Sequence, residues 1–127
     1  MKILEIIATL GVGGAEALVA DLSSQLSAMG EEVKLYLLGG TRGDRGEWLS
    51  RRLEASGVEV IGKPPRRTKS VRNVMGLAGT VRSFRPDIVH CHMYASEVAG
   101  MVGKCLPLSG GSSIVRTLHS SDVFTHR

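Results

Sequence analysis

Leu10-Gly11-Val12-Gly13-Gly14-Ala15-Glu16, Pro86-Asp87-Ile88-Val89-His90-Cys91-His92 and Ile114-Val115-Arg116-Thr117-Leu118-His119 share one pattern. In each, an apolar strand, or the end of one, runs into small or polar residues. Ligands of a doubly wound parallel sheet sit beyond the carboxyl ends of its strands. Glycines and histidines at three such ends therefore mark a site, provided the chain between them builds that sheet.

The intervening sequence has the required alternation. Lys2–Ala8 is rich in Ile and Leu and reads as a buried parallel strand. After the glycine turn Gly11–Gly14, the spacing of Leu18, Leu22, Leu26 and Met29 predicts a helix over 15–29, stopped by Gly30. A strand over Glu32–Leu38 ends in Gly39-Gly40. A short helix over Arg45–Ala55, with Trp48, Leu49 and Leu53, closes at Gly57, and Val58–Ile61 is a third strand. Beyond Pro64-Pro65, the residues Val71, Met75, Ala78, Val81 and Phe84 predict a helix to Arg85, ended by Pro86. Asp87–Cys91, Ala95–Leu106 and Ser113–Leu118 follow as strand, helix and strand. Strands alternating with helices give an α/β fold, a doubly wound parallel sheet of five strands. Right-handed crossovers with a reversal after the third strand set the order 3-2-1-4-5. Strand one then neighbours strand four, and strand four neighbours strand five. The glycine turn, the His90/His92 pair and His119 come to one crevice.

At 127 residues the chain is one domain, residues 1–127, without repeat or linker. Aromatic residues are only 4%, so the core is aliphatic. The two cysteines, Cys91 and Cys105, form neither a metal-ligand spacing nor a disulfide framework, and a reducing, cytoplasmic setting is expected. No run approaches the roughly 18 apolar residues of a membrane span. Lys2 followed by apolar residues mimics a targeting signal, but Glu5 interrupts it and the pattern continues as strand and helix. Net charge is +4, carried by one window. Lys63, Arg66, Arg67, Lys69, Arg72, Arg82 and Arg85 fall there with no acid between Glu59 and Asp87, while nine basic residues face twelve acidic ones elsewhere.

Glycines at Gly11, Gly13 and Gly14 permit close approach by a ligand or another backbone. A helix starting near Gly14 aims free N–H groups at the crevice, which suits a phosphate. A dinucleotide fingerprint is excluded, because Glu16 stands where its third glycine belongs and no ribose-binding acid follows the second strand. A phosphate-binding loop of the Gly-Lys-Ser/Thr type is absent too. The alternative is a tight strand-to-helix turn without ligand. His90 and His92 are two apart on a strand and share a face, with Cys91 opposite. Two histidines and a distant cysteine fall short of a metal ligand set. His90 is either a site residue or a hydrogen-bonded histidine under a helix. His92 is expected further out, as the better ligand contact. His119 can donate to a sugar hydroxyl or a developing charge, or be a plain loop histidine. Asp122 either orients it or is a simple loop acid. Glu16 either partners its helix dipole or reaches across the crevice.

Together, Gly11, Gly13-Gly14-Ala15-Glu16, Arg85-Pro86-Asp87-Ile88-Val89-His90-Cys91-His92 and Arg116-Thr117-Leu118-His119 resemble the N-terminal lobe of a GT-B glycosyltransferase of the retaining family-4 kind. The resemblance runs from Met1 to about Phe124, with the motifs in order. It implies a Rossmann-like lobe that binds a hydroxyl acceptor (a polysaccharide, glycolipid or small molecule), while a C-terminal lobe binds the nucleotide sugar. It places Gly11, Gly13 and Gly14 beside the donor phosphates and His119, as catalytic residue, against the transferred hexose. Glu16, His92 and Asp122 are expected at substrate. No metal or further cofactor is implied, and cell-envelope polysaccharide synthesis is the expected setting. The chain stops soon after strand five, short of the C-terminal lobe, so the incomplete lobe is expected to be inactive alone and to seek a partner lobe or a second copy. The basic stretch Lys63–Arg85 is either a solvated helix or a peripheral contact with anionic lipid on the cytoplasmic face. Nucleic acid is disfavoured because no aromatics interleave the charges. Alternatives are a non-catalytic half of a split transferase, or a sugar-nucleotide-binding domain of another class such as an epimerase.

Overall fold

A computed structural model describes residues 1–11, 13–64, 71–92 and 113–117. The elements in order are β1 (Lys2–Ile7), α1 (Gly14–Ala28), β2 (Glu32–Leu37), α2 (Gly43–Ala55), β3 (Glu59–Ile61), α3 (Val71–Phe84), β4 (Ile88–His92) and β5 (Ser113–Thr117). All strand pairs are parallel, and the order is β3-β2-β1-β4-β5, as the sequence pattern predicts. The helix expected over Ala95–Leu106 lies outside the described residues.

Period-two alternation splits β1 between two cores. Ile3 and Ile7 pack with Val33, Leu35 and Leu37 beneath Val19 and Ala20 of α1 and Leu49 and Leu53 of α2. On the opposite face Leu4 and Ile6 join Tyr36, Val89 and Cys91 beneath Leu77, Val81 and Phe84 of α3. The chain thus changes faces after β3, and that change creates the switch point between β1 and β4. Helices α1 and α2 stop as their glycines require. Gly30 (φ 96°) and Gly57 (φ 91°) adopt the left-handed conformation. The paired bonds Gly30 N–H to Ser27 O with Glu31 N–H to Leu26 O, and Gly57 N–H to Glu54 O with Val58 N–H to Leu53 O, close Schellman caps.

Two helical faces differ from their expected stripes. In α1 the sheet side is Val19, Ala20 and Ser23, whereas Leu18 (55% exposed) and Met29 (74%) point outward. A row of residues four apart winds about 40° per step around a helix. The Leu18–Leu22–Leu26 row therefore meets the sheet only at its Leu26 end. Small residues earlier in α1 let the backbone descend onto the strands. In α3 the buried row is Asn73, Leu77, Val81 and Phe84, and Met75 is exposed. The cause is polar. Asn73 Nδ2 donates to Leu38 O, and Tyr36 Oη donates to Asn73 O at 3.0 Å, so these contacts fix the rotation of α3.

Candidate functional site

The rim of interest is formed by the carboxyl ends of β1, β4 and β5, which are adjacent as predicted. Backbone pairing between the β1 and β2 segments continues past both strands. Leu38 N–H donates to Ile7 O at 3.1 Å, Gly39 N–H to Ala8 O at 2.5 Å, Leu10 N–H to Gly40 O at 3.1 Å, and Arg42 N–H to Leu10 O at 2.7 Å. Gly11 is buried there, with the position of a Cβ only 3.0 Å from Arg42 Cβ. Its glycine is thus explained by backbone packing.

Gly13 precedes α1, and no side chain caps that helix, so the first turn's N–H groups receive no side-chain cap. Gly14 has open space where a Cβ would stand. Glu16 folds back over the turn. A Cβ on Gly13 would lie 2.6 Å from its Oε1, which places a carboxylate at the positive end of the helix. Of the predicted site residues, Gly11, Gly13, Gly14 and Glu16 follow the end of β1, where Leu10 pairs with Thr41 on the β2 side, while His92 ends β4, the neighbour of β1 on its other side. His119 and Asp122 lie outside the described residues; β5 ends at Thr117, two positions before His119.

The histidine pair is engaged from below by a residue whose role the sequence reading did not assign. Glu5, entirely buried between Ile3 and Ile7, is in register with His90 across the β1–β4 pair. Its Oε2 lies 2.6 Å from His92 Nε2 and 3.0 Å from His90 Nδ1. The two rings are 4.0 Å apart at 43°. On the far side of His90, Nε2 lies 2.5 Å from Thr117 Oγ1. Burial pushes the Glu5 pKa up, but hydrogen bonds from His90 and His92, with their positive character, outweigh it and hold the carboxyl below its ordinary range. An ionised carboxylate only accepts. His90 Nδ1–H and His92 Nε2–H therefore donate to Glu5, and His90 Nε2 shares a hydrogen bond with the Thr117 hydroxyl. One chain of bonds joins β1, β4 and β5.

This geometry corrects one expectation. His92 does not stand further out than His90: its side chain is 2% exposed, that of His90 14%. Both rings turn toward Glu5 because a buried carboxylate must find donors. The signal for Glu5 was a lone acid inside Ile3-Leu4-Glu5-Ile6-Ile7, which an apolar core tolerates only with a partner. Cys91 faces the α3 core and takes no part.

The parallel order β3-β2-β1-β4-β5, with helices on both faces, defines a Rossmann-like α/β domain. The sequence model of Glycosyltransferase Family 4 matches residues 12–127, and the chain belongs to that family. Among solved structures, a glycosyltransferase from Rickettsia africae is similar with a TM-score of 0.63 at 15% identity, covering 91% of this chain and 28% of that one. The chain thus spans well under a third of the length of that protein. The C-terminal domain of a hydrogenase from Pyrococcus furiosus is similar with a TM-score of 0.56 at 18% identity, covering 93% of this chain and 90% of that domain. Identities this low show the fold alone. No curated protein matches. Among the described residues no helix is long and apolar enough to cross a membrane.

Proposed function

We propose that this chain is the acceptor-binding lobe of a retaining hexosyltransferase that moves a sugar from a nucleotide sugar to a hydroxyl. The observation that carries this reading is a coincidence. The family match covers residues 12–127, and within it the uncapped start of α1 at Gly13-Gly14 stands on the same rim as the ends of β4 and β5. A hydrogenase domain shares the fold, so the family and the rim, not the sheet alone, support transfer.

In this reading the Gly13-Gly14 N–H groups lie beside the donor phosphates, and His119, following β5, donates to the transferred sugar. Glu16 and Asp122 border the substrate. The donor's nucleotide is held by a second lobe, supplied by another segment, another chain or a second copy. A segment that spans 28% of the similar glycosyltransferase is expected to turn over no donor on its own.

Sugar-nucleotide turnover, followed by release of the nucleoside diphosphate, tests this directly. The expected result is no turnover by the isolated chain, and loss of kcat on replacing the matching histidine in a two-lobed family-4 enzyme. Steady turnover by the isolated chain, or an unaffected histidine variant, refutes it.

The basic stretch Lys63–Arg85 is assigned to anionic lipid on the cytoplasmic face. Arg72, Met75 and Arg82 are exposed on α3, and Arg85 follows them, whereas Lys63 is paired with Glu54 at 2.8 Å. Salt-sensitive co-sedimentation with phosphatidylglycerol vesicles supports the assignment; equal recovery with neutral vesicles ends it.

A further inference from the structure

We infer that Glu5, His90 and His92 form a binding site for a divalent transition-metal ion, zinc first, that clamps β1 to β4 beneath the rim. Their donor atoms all lie within 4.8 Å of one another. Two imidazole nitrogens with one carboxylate are a recurrent zinc donor set. Donors about 2.0–2.2 Å from a tetrahedral ion stand roughly 3.3 Å apart. The measured separations are 2.6 Å for His92 Nε2 and 3.0 Å for His90 Nδ1 from Glu5 Oε2. The two Glu5–His pairs open by less than about 1 Å to admit the ion, with the two ring nitrogens, within 4.8 Å of each other, settling near about 3.3 Å.

Two further observations point the same way. The carboxylate is entirely buried in an apolar strand, with the two imidazole rings at hydrogen-bond distance. A cation bound there supplies an opposite charge where water cannot. Thr117 Oγ1 also sits 2.5 Å from His90 Nε2, the nitrogen that Nδ1 ligation leaves over. Metal-bound histidines regularly donate that second N–H to an oxygen, which fixes tautomer and ring orientation. Ligation would place the proton on Nε2, and Thr117 would then accept it. Three protein donors leave one coordination position, and the 14% exposure of His90 marks the side from which a water fills it. The ion's work here is structural, at mid-strand, and the inference stands apart from the transferase reading.

The test uses the full chain, freed of metal by chelation and titrated with Zn²⁺ by calorimetry and with Co²⁺ by visible absorption. The expected result is one ion per chain, with Kd on the order of 1 µM or tighter, intense tetrahedral Co²⁺ bands, and a Tm that rises on saturation. The double variant His119→Ala/His126→Ala removes every other histidine and should bind unchanged. Glu5→Gln should weaken binding at least about 100-fold, and Thr117→Val by about 10–100-fold. Failure of the folded wild-type chain to bind either ion overturns the site, as does loss of binding in the double histidine variant or full affinity in Glu5→Gln. Should Glu5→Gln not fold, the Co²⁺ spectrum of the double histidine variant decides: tetrahedral bands support the site, and the octahedral spectrum of a hydrated ion refutes it.

Discussion

Replacing Gly46 by alanine gives the sharpest test of how the glycine turn is held. A Cβ at this position would stand 2.2 Å from Leu10 O and 3.2 Å from both Leu10 C and Thr41 Cβ. Carbon and carbonyl oxygen settle near about 3.3 Å, so the first turn of α2 must withdraw by about 1 Å. The same oxygen accepts the Arg42 N–H at 2.7 Å, a bond that this withdrawal strains or breaks. Its loss costs about 1 kcal/mol, and forced overpacking adds about 1–3 kcal/mol. Alanine's better helix propensity returns about 1 kcal/mol. The net expectation is a destabilisation of about 2 kcal/mol, which lowers a urea midpoint by about 1 M at an m-value of about 2 kcal/mol/M. Gly14→Ala is the control. Nothing lies within 4 Å of its added carbon, so it should be neutral or stabilise by up to about 1 kcal/mol. A Gly46→Ala midpoint at or above that of the wild type would refute the close-approach account.

Acid stability follows from Glu5. Its folded pKa is below the unfolded one, so its contribution is complete above about pH 4.3 and is lost as pH falls through the folded value. Thermal melts of metal-free protein should show a shallower acid-side decline in Glu5→Gln than in the wild type. Tyr36→Phe removes the buried 3.0 Å bond to Asn73 O and should cost about 1 kcal/mol in urea denaturation, with m unchanged. The corrected face of α1 predicts that Val19→Ala costs about 2 kcal/mol, while Leu18→Ala stays within about 0.5 kcal/mol; equal losses would restore the leucine stripe.

The sheet order was legible because it depends on coarse alternation. Apolar strands separated by helical patterns, with glycine stops at Gly30 and Gly57, leave few right-handed arrangements. Helix rotation was less legible. Leu18 and Met75 sit at the expected spacing, yet small residues in α1 and the Asn73 hydrogen bonds in α3 turn other sides to the strands. At the site, strand neighbours were readable but register was not. That Glu5 stands level with His90 is a property of the pair β1–β4, and neither strand carries that information alone. In sequence the acid stands only as an interruption of an apolar run, and that interruption is the sign of a buried polar network.

The backbone ladder running on from Ile7 to Arg42 has one more consequence. Four main-chain bonds hold the approach to Gly13 before any ligand arrives. Ordering that stretch is settled during folding, so little of a ligand's affinity is drawn off to freeze it. Under the proposed donor-phosphate reading, anions of different size bind there with entropies that track their own freedom and not that of the loop.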